Sequence, residues 1–389
     1  MKKAIMWLSI LSASLLITMF ACSAPTQKPS PQAEAPAPSA APVAKSGWET
    51  TWDKWQAEAR NERKLVIYGT AKPLVHQAIA KGIKQAHGIE LEFLSGRSAE
   101  IEQKIMTEYR AGLHLPDVWM AGGPDTAVFI FKPADMAEDL DPLIIRPEAR
   151  DPKTWYTGSF EKQYNDPWHL SFSFIAAVDI PLAVNNTLVR PDEIKSLDDL
   201  LDPKWKGKMI LNDPTTSGKG QQSFVVIGWK MRDWDYWRAI AKQEPVLLRD
   251  TRLATDWLAK GRYPILISPS TSAAAEFMQA GAPIGFVRFA KEGYVSHSGG
   301  TISLLKKAPH PAAAKLFLNW LLSKEGQTTW SRADGTQSAR TDVPTDHLDA
   351  VRLRDPNVKY FSTSDWEYVS RDLTKDVALA KEIFAPLIK

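Results

Sequence analysis

Cysteine is almost absent from this chain: 389 residues contain one, Cys22. That excludes an intramolecular disulfide framework and any cysteine-based zinc or iron–sulfur cluster. Surplus charge is absent as well. The formal net charge is +3, but residues 1–47 hold four lysines against one glutamate, which leaves 44 basic and 44 acidic side chains in the body. A body of zero formal charge lacks the electrostatic footprint of a nucleic-acid binder, so no nucleic-acid partner is expected. Catalytic signatures are missing too. No two of the seven histidines stand at the i,i+4 spacing of a helical metal site, and neither HExxH nor G-x-S-x-G occurs. Gly218-Lys219-Gly220 lacks the leading glycine and the trailing Ser/Thr of a phosphate loop, and Gly218–Ser223 fails the dinucleotide fingerprint at its last glycine. Carboxylate pairs for glycoside hydrolysis meet only in three dimensions, and no pair stands out. The expectation is a non-enzyme with no cofactor and no resident metal.

What is present is a soluble globular composition, 44% hydrophobic and 24% charged, which argues against disorder, collagen-like repeats and a polytopic membrane protein. The length suggests about two packing units. Met1-Lys2-Lys3 followed by the apolar stretch Ala4–Ala21 has the form of a secretory signal. Cys22 after a small residue is similar to the lipobox of bacterial lipoproteins, although Met19 and Phe20 are unusual there. Three alternatives stand: a signal (1–21) cleaved before a lipidated Cys22, an uncleaved anchor, or plain secretion. All three place the body outside the cytoplasm. Residues 23–47, with six prolines and seven alanines, read as an extended tether.

The body alternates strand and helix patterns. Lys64–Tyr68, Glu90–Leu94 and Asp117–Met120 read as strands, separated by helical stripes at Leu74–Ile83 and Ile101–Tyr109. Pro181–Val184, Lys208–Leu211, Tyr263–Ser268 and Thr301–Leu305 continue the series, with helices at Ala273–Gln279 and after Pro311. Such alternation predicts βαβ units and parallel pairing. Loops after the strands are rich in Ser, Thr, Asp and Gly. They are either ordinary helix caps or, taken together, a cleft at the carboxyl ends of strands where helix N-termini favour anionic ligands. Trp48, Trp52 and Trp55 share one helical face, a seam that docks the first helix on the body. Trp119, beside Gly122-Gly123, is either core or a ligand-stacking ring.

Several motifs carry a family resemblance. Asp199-Leu-Leu-Asp-Pro-Lys-Trp-Lys-Gly-Lys208, Asn212-Asp213-Pro214, Ala308–Trp320 and Leu322–Gln327 follow in that order. In this respect the chain, over residues 48–389, resembles extracellular solute-binding proteins of ABC importers, in the iron(III)-type group. The resemblance implies an α/β, two-lobed periplasmic-binding-protein-like fold (type II), with mixed sheets flanked by helices and a ligand cleft between the lobes. It places lobe 1 at 48–173 plus 296–345 and lobe 2 at 174–295 plus 346–389, with crossovers near Phe174–Ala183 and Tyr294–Ser298. It also implies delivery of a solute to the transmembrane subunits of an ABC permease by a monomer. The metal chemistry of the group does not carry over. Relatives hold ferric iron on adjacent tyrosines after the strand matching Tyr263–Ser268, and here that stretch reads Ile267-Ser-Pro-Ser-Thr-Ser272. Tyr68 and Tyr294 are the tyrosines left near the expected cleft.

The reading that follows is a lipid-anchored extracytoplasmic binding protein for a small organic or oxyanionic solute. A ferric iron or iron-chelate carrier of the same class is the alternative, and a periplasmic hydrolase or a ligand-independent assembly factor are the rivals from other classes. The candidate contacts are Thr70, Ala71, Gly96, Arg97, Ser98, Trp119, Gly122, Gly123, Thr215, Thr216, Ser217, Gly218, Ser268, Ser270, Thr271, Ser296, His297 and Ser298. Arg97 is either a bidentate anion ligand or an exposed surface arginine.

Overall fold

The computed structural model describes residues 46–121, 125–190, 192–216, 218–297 and 299–388. Cys22, Gly122, Gly123, Ser217 and Ser298 lie outside them.

The βα alternation builds the first sheet. β1 (Lys64–Gly69) and β2 (Glu90–Ser95) run parallel around the helix Pro73–His87, and β3 (Val118–Ala121) joins β1 after the helix Ser98–Arg110. Pro73 sits in the first turn, where its missing N–H costs no bond, and Gly88 ends that helix at φ 71°. The next strands are β4 (Phe172–Ser173), β5 (Ala177–Asp179) and β6 (Leu182–Asn185). They are followed by β7 (Met209–Asn212), β8 (Val246–Leu248), β9 (Ile265–Ile267) and β10 (Ile284–Val287). The last are β11 (Glu292–Ser296), β12 (Thr301–Leu304) and β13 (Lys359–Ser362).

Two five-stranded sheets result, in the orders β2-β1-β3-β12-β4 and β10-β6-β9-β7-β8, with a third of three strands, β13-β11-β5. The expected parallel pairing holds for β2-β1-β3 and for β9-β7-β8. It gives way to antiparallel pairing at β12 and β4 and at β6 and β10, so both large sheets are mixed. These four strands flank the crossovers, where the chain enters a sheet from the opposite end. β5 and β11, paired antiparallel, are the two strands by which the chain passes between the large sheets. β4, β5 and β8, with two or three residues each, have too few for a period to show in the sequence.

Each large sheet has its own apolar core. The first lobe buries the helix Pro311–Leu321 almost completely, with Phe317 and Trp320 in one core with Leu65 and Ile67 of β1 and Ile302 of β12. The first helix, Gly47–Glu62, docks there as its tryptophan spacing predicts. Trp55 is buried, and Trp52 meets His87 edge-on at 5.4 Å. Its Glu62 carboxylate accepts the Ala312 and Ala313 amides at 3.2 and 2.7 Å, closing an otherwise open helix N-terminus. The second lobe packs Phe224, Trp237 and Phe384 from three helices over β7 and β9. A half-buried arginine ties the crossover: Arg354 donates to the carbonyls of Ala176 and Ser338, while its own amide donates to Gln337 Oε1 at 2.7 Å. Burial lowers this guanidinium to about 10.

Candidate functional site

A cavity of about 580 Å³ lies where the two large sheets face each other across β5 and β11. The size suits a small organic ligand, since such sites run from roughly 300 to 1,000 Å³. Each wall is built from strand-end loops. In the first lobe β1 stops at Gly69 and delivers Thr70, Ala71 and Lys72 to the start of the helix Pro73–His87. In the second, β9 stops at Ile267 and delivers Ser270, Thr271 and Ser272, while the loop after β7 delivers Lys219. Ser268 makes the first of these turns at φ 60°, a left-handed conformation uncommon outside glycine. Its amide donates to the Pro181 carbonyl at 2.8 Å and its carbonyl accepts Asn212 Nδ2 at 3.1 Å, which hold the turn in place.

Five candidate contacts meet at this cavity: Thr70, Ala71, Ser270, Thr271 and Ser296. Others are placed elsewhere. Trp119 is 1% exposed and packs edge-on to Phe131 at 6.0 Å, so it is a core ring, fixed by its position inside the first sheet between β1 and β12. Arg97 points to solvent, 3.8 Å from Glu100, and is the surface arginine rather than an anion ligand. Ser98 donates to Glu102 at 2.7 Å, and Gly96 is occupied with the Gly69 carbonyl and the Ile101 side chain. Thr215 is spent on Asp213, donating through both its amide and its hydroxyl; Thr216 follows in the same turn, and Gly218 caps the next helix. Burial alone raises the Asp213 carboxyl, but Arg249 and Thr215 outweigh it and hold it below the ordinary carboxylate value. Ser268 and His297 are buried behind the wall. Burial, with Arg354 nearby, pushes the His297 imidazole down to about 3. The two tyrosines left for a rearranged iron site do not line the cavity either. Tyr68 sits in a core cluster with Ile105 and Trp119, and Tyr294 is fully buried with its hydroxyl 2.6 Å from Ser223. Burial raises both phenols, Tyr294 strongly.

The cavity also holds residues outside the expected set, and these carry its charge. Lys72, Lys219 and Arg352 face it, against Asp179 and Asp334. Lys219 pairs with Asp179, Lys72 pairs with Asp334 at 3.0 Å, and Arg352 donates to the Gly335 carbonyl at 3.3 Å. Lys219 is the more enclosed lysine, 21% exposed against 62% for Lys72. Both lysines stand at helix starts that lack a side-chain cap, with Lys72 and Gly218 as the cap residues. By contrast the helices Thr251–Ala259 and Thr271–Gln279 are capped by Asp250 and Ser270. Gly220 sets how near the helix Lys219–Val226 comes: a Cβ there would strike the Asn212 and Asp213 carbonyls, so only glycine lets the helix start reach the end of β7. Trp330 forms part of the first-lobe wall, edge-on to Phe174 at 5.0 Å, with no hydrogen-bond partner for its Nε1 among the described residues. Lys72 and Lys219 sit directly after loops that were readable. Trp330, Asp334–Gln337 and Arg352 come from 258 to 280 residues beyond Lys72, and no local signal marks them.

A second cavity, of about 540 Å³, lies between Tyr156–Pro167 and the segment Val358–Trp366. It brings together none of the candidate contacts. Among the described residues no group of three or more His, Cys, Asp or Glu side chains is placed to hold a metal ion, and no helix is long and apolar enough to cross a membrane.

Two mixed sheets flanked by helices, joined by paired crossover strands with a cavity between them, define the type II periplasmic-binding-protein fold. The family model for bacterial extracellular solute-binding proteins matches residues 78–359, and the chain belongs to that family, whose members work outside the cytoplasm. It is a solute-binding component of the kind that serves ABC importers. An uncharacterized protein of Haemophilus influenzae is 24% identical over 341 residues, covering 83% of this chain and 93% of its own. Among solved structures, the Trichodesmium protein FutA with iron and citrate is 18% identical at a TM-score of 0.63, covering 82% of this chain and 99% of that one. AfuA of Actinobacillus pleuropneumoniae, solved with fructose-6-phosphate, is 23% identical at a TM-score of 0.53, covering 83% and 97%. The ferric iron-binding protein A of Mannheimia haemolytica, in an open conformation, is 13% identical at a TM-score of 0.62, covering 82% and 98%.

Proposed function

We propose that this chain captures a small organic or oxyanionic solute in the cavity between its sheets and hands it to an ABC permease, without catalysis. The observation that carries this reading is the pair of lysines at uncapped helix starts, one on each wall, with Lys219 largely enclosed. Free N–H groups and a lysine together favour anionic oxygen. Ferric iron, the alternative within the same class, needs several anionic oxygen donors. The carboxylates that face the cavity, Asp179 and Asp334, are both engaged by lysine, and no tyrosine lines it among the described residues.

The lobes are assigned as 48–173 plus 296–345 and 174–295 plus 346–389. The body is a monomer, held near the membrane by a lipid on Cys22 and the Pro/Ala-rich tether. Binding closes the lobes about β5 and β11, because solute favours closure only through contacts it makes with both walls. Small-angle scattering tests this: the solute shrinks the radius of gyration, whereas an unchanged profile at saturation rejects hinge closure. Titration with ferric citrate tests the alternative, and a stoichiometric visible band would restore the iron assignment.

A further inference from the structure

The charged groups of the cavity restrict the solute further, on the reading that the solute binds there. The enclosed anion site is not purely cationic. Lys219 is held against Asp179, whose carboxylate is 6% exposed, lines the cavity, and has no hydrogen-bond partner for Oδ2 among the described residues. An inorganic oxyanion with no proton to donate, such as sulfate, would lie against this carboxylate if it reached Lys219 and the helix start at Gly218, and would be repelled by it. It would also leave most of the 580 Å³ to solvent, since one water occupies about 30 Å³ in the liquid. A buried carboxylate oxygen without a donor is costly, and a ligand that supplies the donor removes that cost. The opposite wall repeats the arrangement, with Lys72 against Asp334 beside another uncapped helix start.

We infer that the solute is an organic anion that carries a hydrogen-bond donor, a hydroxyl or an ammonium group, close to its charged head. The head binds Lys219 and the amides at the start of Lys219–Val226; the donor binds Asp179. A hydroxyl-rich remainder faces Thr271, Ser296 and Thr336, which line the rest of the wall.

Calorimetric titration of the full chain with matched probes tests this. At about pH 8.5, where phosphate monoesters are dianions, glycerol 3-phosphate and phosphoethanolamine carry the donor and propyl phosphate does not; gluconate and hexanoate form the equivalent carboxylate pair. Sulfate, which carries no proton at this pH, is the bare oxyanion. The expected result is that, in at least one series, the donor-bearing probe binds tenfold or more tightly than its donor-free partner, with sulfate weaker still. Whether the hydroxyl or the ammonium probe is tighter identifies the donor. Asp179→Asn then reduces the difference to threefold or less. Equal affinities within both series, sulfate as the tightest probe, no binding by any probe, or a difference that Asp179→Asn leaves intact each overturn the inference. The wild-type comparison stands even where the variant folds poorly. A solute of another class found in the purified chain, and lost from Lys219→Glu, would leave the cavity reading in place while this inference falls.

Discussion

The two walls of the cavity reach a similar chemistry by different means. The second-lobe wall is local: Ser270–Ser272, Thr251 and Lys219 are each the first residues of a helix that follows a strand or its loop. The first-lobe wall is composite: Thr70–Lys72 come from the strand-end loop, but Trp330 and Asp334–Gln337 come from far along the chain, and Arg352, from the C-terminal segment, bonds to them through the Gly335 carbonyl. The lysines differ accordingly. Lys219 lies over the Tyr294 ring at 5.8 Å and is largely enclosed, while Lys72 extends into solvent. A lysine shielded from water interacts more strongly with an anion than an exposed one. The second-lobe wall therefore holds most of the affinity, and the first-lobe wall adds closure and shape.

Charge reversal breaks this comparison most directly. Lys219→Glu is expected to weaken solute binding by about a hundredfold or more, and Lys72→Glu by about tenfold, as charge-assisted hydrogen bonds are worth roughly 1.5–3 kcal/mol and exposed ones less. Titration of the two variants with the solute recovered from the wild type measures both. Equal losses would mean that the walls are equivalent.

Gly220→Ala acts on the second wall alone. The added Cβ meets backbone carbonyls of Asn212 and Asp213, which cannot rotate away, so the helix start must shift. A stability loss of about 1–3 kcal/mol is expected by denaturant unfolding, with weakened binding beside it.

The crossover between the walls has a titration signature. His297 is buried and held neutral down to about pH 3. The unfolded chain takes up this proton near pH 6.5, so below that the unfolded state binds more protons and stability falls, by about 1.4 kcal/mol per pH unit from this group. Above pH 6.5 the group contributes no slope. Unfolding curves from pH 7 to 4 should therefore be shallower in pH for His297→Gln than for the wild type.

The smallest effect separates two tryptophans. Trp330→Phe is expected to weaken binding a few-fold, through its place in the cavity wall. Trp119→Phe leaves affinity unchanged and costs about 1–2 kcal/mol of stability, as for other trimmed core rings. Equal effects on affinity would return Trp119 to the site.

The difference between the walls also explains what the sequence discloses. Long strands with adjacent periodic helices, such as Lys64–Gly69 with Pro73–His87, were legible because their apolar spacing is local. So were the loops that end in Thr70–Ala71 and Ser270–Thr271. Loops alone do not say which of them meet: Gly96–Ser98 follows the same pattern as Thr70–Ala71, yet its side chains are spent on Glu102, Glu100 and solvent. Trp119 drew attention for its neighbouring glycines, and pairing with β1 and β12 buried it. Trp330 and Arg352 reach the cavity only through tertiary packing, which leaves no trace in spacing.

The central claim is that a small anion occupies this cavity and depends on its enclosed lysine. Native mass spectrometry of the freshly purified full chain, beside Lys219→Glu, tests it directly. The expected spectrum shows one stoichiometric small anionic ligand on the wild type and none on the variant. A ligand-free wild type that stays unliganded when offered candidate solutes, or a ligand retained equally by Lys219→Glu, would contradict it.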